Sequence, residues 1–338
     1  MTTGDKILLA HGGGGRLTDE LIHSVILPAF ENQTLSKLTD SAEIRLGKDN
    51  ICFTTDSYVV KPLFFNGGDI GKLAVCGTIN DLAVAGAKPV ALSLSLIIEE
   101  GLEISILKKI LASAAQAAKE ENISIVCGDT KVVEAGSADK IFINTSGVGL
   151  KLSKAEVGFE KIAAGDKIIV SGTIGDHGMT IMSQREGMKF ESEMKSDCGS
   201  VAQICAKEIE VLDSDIKFMR DPTRGGLAAT LSEISDQTDL GIEIQETQIP
   251  VNPTTQAAAD MLGFDILNIA NEGKVVIVVS GQKADECLEI CKSCQNGKDA
   301  AIIGQIVKSS EPLVELITMI KGRRIVQMPY GRELPRIC

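Results

Sequence analysis

Residues 69–87 predict a helix that is rich in small residues and carries one carboxylate among its apolar side chains. Ile70 and Gly77 recur at helical spacing, and Asp81 falls on the same face. A carboxylate buried there costs free energy unless it is paired or coordinated. The helix is expected to end before Pro89, because the residue that precedes proline disfavours helical backbone. The pattern therefore predicts a closely packed helix whose carboxylate needs a cation or a hydrogen-bonding partner.

Three further aspartates stand where apolar segments give way to turns. Asp56 and Asp129 follow apolar strand-like runs, and Asp221 opens a glycine-bearing turn before a predicted helix. Several carboxylates without His or Cys beside them suit a hard cation, usually Mg²⁺ held together with phosphate oxygens. The alternative is that each of them is a helix-capping or turn aspartate, which is common at such transitions. For Asp81 we favour a functional role.

Two glycine-rich segments are candidates for binding an anion through backbone N–H groups. The first is Gly12, Gly13, Gly14 and Gly15, and the second is the turn at residues 224–226. Neither has the spacing of a Walker sequence, and a flexible loop is the alternative for both. His11 and His177 each stand without a second His at metal-ligand spacing, so packing or hydrogen bonding is the expected role of both.

Cysteine occurs nine times, and three of these residues are closely spaced. Cys287, Cys291 and Cys294 have the CxxxCxxC spacing of a three-cysteine iron–sulfur site, but the same spacing forms one apolar face of a helix. We favour the core face. No secretory signal is visible at the N-terminus, so the thiols are expected to be reduced and the protein cytoplasmic.

Cys338 is the last residue and ends a segment, residues 331–338, that has no periodicity. Eight extended residues reach about 26 Å, so a thiol on this tether could visit more than one site. The alternative is an incidental cysteine on a frayed end. The neighbouring α-carboxylate is expected to raise the pKa of the thiol, and Arg336 is expected to oppose this in part.

The remaining pattern predicts an α+β fold with two domains, residues 1–155 and 156–330, and a flexible tail over residues 331–338. Predicted helices cover 17–29, 69–87, 104–118, 200–212, 227–235 and 284–294, and predicted strands cover 51–60, 90–98, 123–127, 140–150, 167–170 and 274–280. The net charge of −12 argues against nucleic acid or an anionic membrane as partners. No apolar run approaches the roughly 20 residues that a membrane helix requires.

Taken together, these segments resemble the HypE family of hydrogenase maturation factors, which are carbamoyl dehydratases of the PurM-like ATP-binding superfamily. The terminal Pro-Arg-Ile-Cys338 is the most specific match, and the internal motifs are shared with other ATP-using relatives. The internal matches are His11-Gly-Gly-Gly-Gly, Thr54-Thr-Asp56, Asn80-Asp81-Leu-Ala, Cys127-Gly-Asp-Thr-Lys131, Asp221-Pro-Thr-Arg-Gly-Gly226 and Asn271-Glu-Gly273.

The resemblance implies a PurM-like architecture whose N-terminal domain dimerises through its sheet, with ATP bound between the two domains. It implies Mg²⁺ held by Asp56, Asp81, Asp129 and Asp221, and phosphate covered by Gly12–Gly15. It also implies that Cys338 carries a carbamoyl group which ATP-dependent dehydration converts to a thiocyanate. Glu272 is then expected to act as the base, and Lys131 to steady phosphate or assist proton transfer, although a salt bridge remains the alternative for both.

The resemblance further implies a HypF-like carbamoyltransferase as the donor and a HypC–HypD-like complex as the acceptor of cyanide for iron. Two other classes of function stay open. One is a sister enzyme of the superfamily, such as a selenophosphate synthetase, a thiamine-phosphate kinase or a purine-pathway ligase. The selenophosphate synthetases use a Cys or selenocysteine and a Lys near the N-terminal glycine loop, which has neither here, and the kinases and ligases need no C-terminal thiol. The other is a thiol carrier without catalytic activity of its own.

Overall fold

The computed structural model describes residues 6–30, 32–188, 194–331, 334 and 336–338. Its helices are α1 (Arg16–Leu21), α2 (Leu27–Phe30), α3 (Ile70–Val84), α4 (Ile104–Glu120), α5 (Asp176–Arg185), α6 (Ala202–Leu212), α7 (Gly226–Thr238), α8 (Pro253–Leu262) and α9 (Ala284–Ser293). Its strands are β1 (Ala42–Leu46), β2 (Asp49–Tyr58), β3 (Phe64–Phe65), β4 (Gly68–Asp69), β5 (Ala87–Glu99), β6 (Ser124–Val133), β7 (Ile141–Lys151), β8 (Lys167–Val170), β9 (Ile216–Arg220), β10 (Gly241–Gln245), β11 (Val276–Val279), β12 (Ala301–Val307), β13 (Val314–Ile317) and β14 (Arg323–Val326). Within the described residues, no helix combines the length and the apolar character needed to cross a membrane.

The first half of the chain forms a five-stranded sheet in the order β1-β2-β7-β5-β6. Only β5 and β6 pair in parallel, and the other neighbours are antiparallel. Side chains of β7 alternate between buried and partly exposed, as expected for a strand with one covered face. Thr145, on the buried face, bonds to Thr78 of α3, so α3 covers this face of the sheet.

The second half forms a seven-stranded sheet in the order β14-β13-β10-β12-β8-β11-β9. Its strands are antiparallel except for the β10–β13 pair. Strand β11, which lies between β8 and the edge strand β9, is buried on both faces, which explains its continuous apolar run Val276–Val279. The predicted division at residues 155 and 156 falls between β7 of the first sheet and β8 of the second.

Most predicted elements are present, but β6 differs from its prediction. Residues 123–127 were expected to form a short buried strand, whereas β6 extends over Ser124–Val133 and is exposed along nearly its whole length. It lies at the edge of the sheet and pairs with β5 alone. A short apolar run does not distinguish a buried strand from an edge strand, and the predicted length and burial of this strand were therefore wrong.

Asn80 on α3 joins the two halves of the molecule. Its side-chain NH₂ donates to the carbonyl oxygens of Gly199 and Glu272 at 3.0 and 3.3 Å, and its side-chain oxygen accepts from the Val201 amide at 2.8 Å. Asn80 is fully buried, so these backbone groups depend on its amide for their hydrogen bonds. The next residue of α3 is Asp81, and this contact therefore places Asp81 at the junction of the halves.

Candidate functional site

Three carboxylates from separate parts of the chain converge at this junction. Asp40 precedes β1, Asp81 lies in the last turn of α3, and Asp221 follows β9. Their ligand oxygens all lie within 4.8 Å of one another. A compact set of carboxylate oxygens with no sulfur or nitrogen ligand suits a hard divalent cation such as Mg²⁺.

Hydrogen bonds and one arginine hold these three carboxylates in place. The Thr54 hydroxyl donates to Asp81 at 2.7 Å. Nε of Arg220 donates to both carboxylate oxygens of Asp40 at 3.0 Å, and the same guanidinium pairs with Glu233. Because one guanidinium is shared between two carboxylates, it does not neutralise the acidic cluster.

The excess negative charge changes the proton affinity of the cluster. Burial, together with the charge of Asp56, raises the pKa of Asp81 well above its usual range. Burial and the charges of Asp40 and Asp56 raise the pKa of Asp221 to about 8. A divalent cation at this point would remove the repulsion that raises both values.

Asp56 and Asp129, the other two predicted metal ligands, lie in different settings. Asp56 accepts a hydrogen bond from the Tyr58 hydroxyl at 3.1 Å and lies 3.5 Å from the Arg224 guanidinium, beside the cluster. Asp129 lies within exposed β6 and pairs with Lys131 at 2.9 Å. Within one chain, Asp56 joins the acidic cluster while Asp129 and Lys131 remain together on the sheet edge.

The end of the chain lies inside the molecule, alongside the residues that follow β2. The Val59 amide donates to the Cys338 carbonyl at 3.1 Å, and the Lys61 amide donates to the Arg336 carbonyl at 3.3 Å. Ile337 is buried in the apolar core of the first half. Residues 336–338 of the segment predicted as a flexible tail are therefore docked in this structure, and Cys338 packs against the core of the first half.

His177 on α5 holds the docked tail. Its Nε2 lies 2.8 Å from the Ile337 carbonyl oxygen and its Nδ1 lies 2.8 Å from the Ser196 hydroxyl. A carbonyl only accepts, so Nε2 carries the proton and the neutral ring accepts the Ser196 hydroxyl proton at Nδ1. Burial lowers the pKa of His177 and favours this neutral form.

Cys338 lines a cleft with a cavity volume of about 100 Å³. The lining includes Gly12, Gly13, Thr223, Arg224, Gly225 and Cys338. Burial and the charge of Glu272 raise the pKa of the Cys338 thiol to about 12, and a hydrogen bond with Arg224 opposes this. Arg224 thus contacts both the terminal thiol and, through Asp56, the acidic cluster.

Glu272 is a buried carboxyl beside the thiol and the acidic cluster. Its Oε1 has no hydrogen-bond partner among the described residues. Burial and the charges of Asp221 and Asp197 raise the pKa of Glu272 well above its usual range. A buried carboxyl of raised pKa with an unoccupied oxygen is suited to proton transfer.

The four N-terminal glycines divide into two pairs. Gly12 and Gly13 line the cleft. Gly14 has a φ of +75°, and a Cβ added there would lie 2.3 Å from Cβ of Arg224. A Cβ added at Gly15 would lie 2.1 Å from the Pro329 carbonyl oxygen. Gly14 and Gly15 are therefore required for close packing, whereas Gly12 and Gly13 are placed to contact a ligand.

The arrangement includes residues that the sequence patterns did not single out. Asp40 completes the carboxylate cluster, and its partner Arg220 lies 180 positions later in the chain. His177 was expected to pack or to form hydrogen bonds, which it does from α5, but its contact Ile337 is 160 positions away. No local signal connects residues so far apart.

Comparisons with known proteins identify this architecture. Residues 38–151 match the family described as AIR synthase related protein, N-terminal domain, and residues 163–316 match AIR synthase related protein, C-terminal domain. The chain therefore belongs to the AIR synthase related proteins, which have the PurM-like fold. A carbamoyl dehydratase HypE from Bradyrhizobium diazoefficiens is 46% identical over 330 residues, which cover 98% of this chain and 95% of that protein.

Two solved structures agree with this relationship. The HypE–HypF complex contains a chain that is 48% identical, with a TM-score of 0.87, over 91% of this chain and 99% of that chain. A hydrogenase maturation protein HypE in complex with ATP is 40% identical, with a TM-score of 0.83, over 98% of this chain and 100% of that chain. Within the AIR synthase related proteins, the chain belongs to the HypE family of carbamoyl dehydratases.

Proposed function

We propose that this protein is an ATP-dependent carbamoyl dehydratase that acts in the maturation of nickel–iron hydrogenase. The substrate is an S-carbamoyl group, S–C(=O)–NH₂, on Cys338, and the products are S–C≡N on the same sulfur, ADP and phosphate. The observation that carries the proposal is the position of Cys338 in the cleft, where Arg224 connects it to the acidic cluster.

The residues present fit the two groups that this reaction requires. Asp40, Asp81 and Asp221 offer the oxygen ligands that Mg²⁺ prefers, and Mg²⁺ would neutralise charge on the phosphates. ATP supplies a phosphoryl group to the carbamoyl oxygen, which then leaves as phosphate. Asp56 is a fourth carboxylate beside this cluster, and it would also interact with the charge of Mg²⁺ bound there.

The chain's own residues orient the thiol and move the protons. Arg224 lies against both the sulfur and Asp56, so it orients the loaded sulfur toward the acidic cluster. Loss of the oxygen requires removal of protons from the carbamoyl nitrogen. The free Oε1 of Glu272 is the base we assign to this step. Gly12 and Gly13 would cover phosphate with their amides.

Asp129 and Lys131 are given roles in the reaction only through a dimer. Both lie on the exposed edge strand β6, and among the described residues the β7 side chains on the sheet face opposite α3 are only partly buried. We propose a homodimer formed through this sheet, which would bring Asp129 and Lys131 of each protomer to the interface. Lys131 would then steady phosphate or assist proton transfer, and Asp129 would complete the metal ligands.

The proposed partners follow from the chemistry of the sulfur. A HypF-like carbamoyltransferase loads Cys338, and the solved HypE–HypF complex supports this assignment. A HypC–HypD-like complex receives cyanide for iron. We place these steps in the cytoplasm.

The proposal is tested by following the C-terminal peptide by mass spectrometry. The protein is incubated with a HypF-like transferase, its carbamoyl donor, Mg²⁺ and ATP. We expect the wild-type peptide first to gain a carbamoyl group and then to lose one water. Cys338→Ala should prevent both changes and retain ATP binding. Glu272→Gln should accept the carbamoyl group and dehydrate it at least about 100-fold more slowly, because the base is missing.

Omission of ATP provides the control, since loading should then stop at the carbamoyl peptide. A loaded peptide that ATP leaves unchanged would identify a thiol carrier without catalytic activity. Nucleotide turnover on a free small molecule without a loaded Cys338 would instead favour a sister kinase or ligase.

A further inference from the structure

A second group of metal-ligating side chains lies in the core of the second half. Glu208 is on α6, and Cys287 and Cys291 are one turn apart on α9. One ligand atom from each of the three lies within 4.8 Å of the other two. All three residues are buried, and none of them lines the cleft that contains Cys338.

Glu208 is a carboxyl in a core of apolar residues and thiols, with Cys287 and Cys291 as its hydrogen-bonding neighbours. The surrounding cluster consists of apolar residues and thiols, and Glu208 is fully buried within it. Its Oε1 accepts a weak hydrogen bond from the Cys291 thiol at 3.2 Å. Its Oε2 is buried with no hydrogen-bond partner among the described residues. An unpaired carboxyl oxygen in an apolar core costs free energy that a coordinated cation would recover.

The two helices present these groups in a favourable arrangement. Cys287 and Cys291, four positions apart, lie on one face of α9. Cys205 precedes Glu208 by three positions on α6, so these two also share a helix face, and Cys205 belongs to the same buried cluster. In a tetrahedral zinc site the donor atoms lie about 3.3–3.8 Å apart, which a spread below 4.8 Å allows with little movement.

We propose that Glu208, Cys287 and Cys291 bind a thiophilic divalent cation, Zn²⁺, with Cys205 as the fourth ligand. The thiols of Cys205, Cys287 and Cys291 lose their protons on binding, and the three thiolates with the Glu208 carboxylate provide four negative charges against two on the cation. The site is closed to solvent and therefore structural, holding α9 against α6.

The test uses the full chain after removal of metal by a chelator. Zn²⁺ alone is titrated against a chromophoric competitor in excess Mg²⁺, so that the oxygen-only acidic cluster does not contribute. We expect one tight Zn²⁺ per chain, and Co²⁺ in its place should give a thiolate-to-cobalt charge-transfer absorption. The double variant Cys287→Ser/Cys291→Ser should lose at least 100-fold in Zn²⁺ affinity. Cys52→Ser, a buried thiol outside the cluster, should bind as the wild type does.

X-ray absorption of the wild-type zinc protein keeps the test decisive if the double variant fails to fold. Sulfur ligands at about 2.3 Å would support the site. A folded wild-type protein that binds no Zn²⁺ at micromolar concentration would overturn the proposal. So would binding that the double variant retains, or a coordination shell without sulfur. Dehydration of loaded Cys338 is measured separately, so failure of this site leaves the proposed reaction untouched.

Discussion

The terminal thiol is docked in a position that keeps it protonated. Burial raises the pKa of Cys338 to about 12, so very little of the nucleophilic thiolate is present at neutral pH. A transferase that loads this sulfur must therefore act on a released tail. Several contacts hold the described residues at the chain end, and among them is the bond from fully buried His177 to the Ile337 carbonyl.

We expect His177→Ala to release the tail and to increase the alkylation rate of Cys338 at least tenfold. The variant removes the donor to Ile337, and the released thiol regains a pKa nearer its ordinary value. Peptide-resolved mass spectrometry after brief iodoacetamide treatment measures the rate. Exposed Cys127 in the same chain is the internal reference and should be unaffected. His177→Gln, whose amide can donate to the same carbonyl, should give a Cys338 alkylation rate between those of the wild type and of His177→Ala. Equal Cys338 rates in all three proteins would refute the role of His177.

The residues of the site differ in how far sequence could predict them. Asp81 and Cys338 stood out because a carboxylate in an apolar helix and a thiol at a chain end are unusual. Glu272 was assigned only through resemblance to a family, since nothing near it in the chain indicates a base. Asp40 was missed, and the partner of His177 was not identified, because their partners lie 180 and 160 positions away and are brought close only by the fold.

At the scale of helices and strands, periodicity was informative wherever an element has one covered face. The predicted helix 104–118 is α4, and the predicted strand 167–170 is β8. Periodicity did not predict the burial of β6 correctly. An apolar run has the same sequence pattern whether it is covered by its own chain or by a second chain. Its exposed Val126 and Val132, 65% and 67% accessible, are the side chains expected to be covered in a dimer.

We expect Val126→Glu to convert the proposed homodimer to a monomer. A charge placed on the exposed edge strand opposes burial against a second copy, whereas in one chain it should change the free energy of unfolding by only about 0.5 kcal/mol. Light scattering after size-exclusion chromatography gives the mass, and urea unfolding gives the stability. Ile320→Glu, at a site 91% exposed and outside both sheets, is the matched control and should remain dimeric. A wild-type protein that is monomeric at all concentrations would contradict the sheet-mediated dimer.

The molecule as a whole depends on the junction between its halves, because the acidic cluster draws Asp40 and Asp81 from the first and Asp221 from the second. Apolar packing at this junction also involves residues from both halves. Ala83 and Val84 of α3 belong to an apolar cluster of the second half, and Ile337 belongs to the core of the first. The end of the chain and the last turn of α3 thus cross between the halves in opposite directions, which makes the site sensitive to any loss of their alignment.

Asn80 is the polar contact on which this alignment depends. Asn80→Ala leaves the Gly199 and Glu272 carbonyls and the Val201 amide without their buried partner. Since an unsatisfied buried group costs about 1–3 kcal/mol, we expect a loss of about 3 kcal/mol in the free energy of unfolding in urea. Asn296 donates to the neighbouring Ser200 carbonyl at 2.8 Å but is exposed, so Asn296→Ala should cost less than about 1 kcal/mol. Similar losses in both variants would mean that the halves are aligned by apolar packing and not by the Asn80 amide.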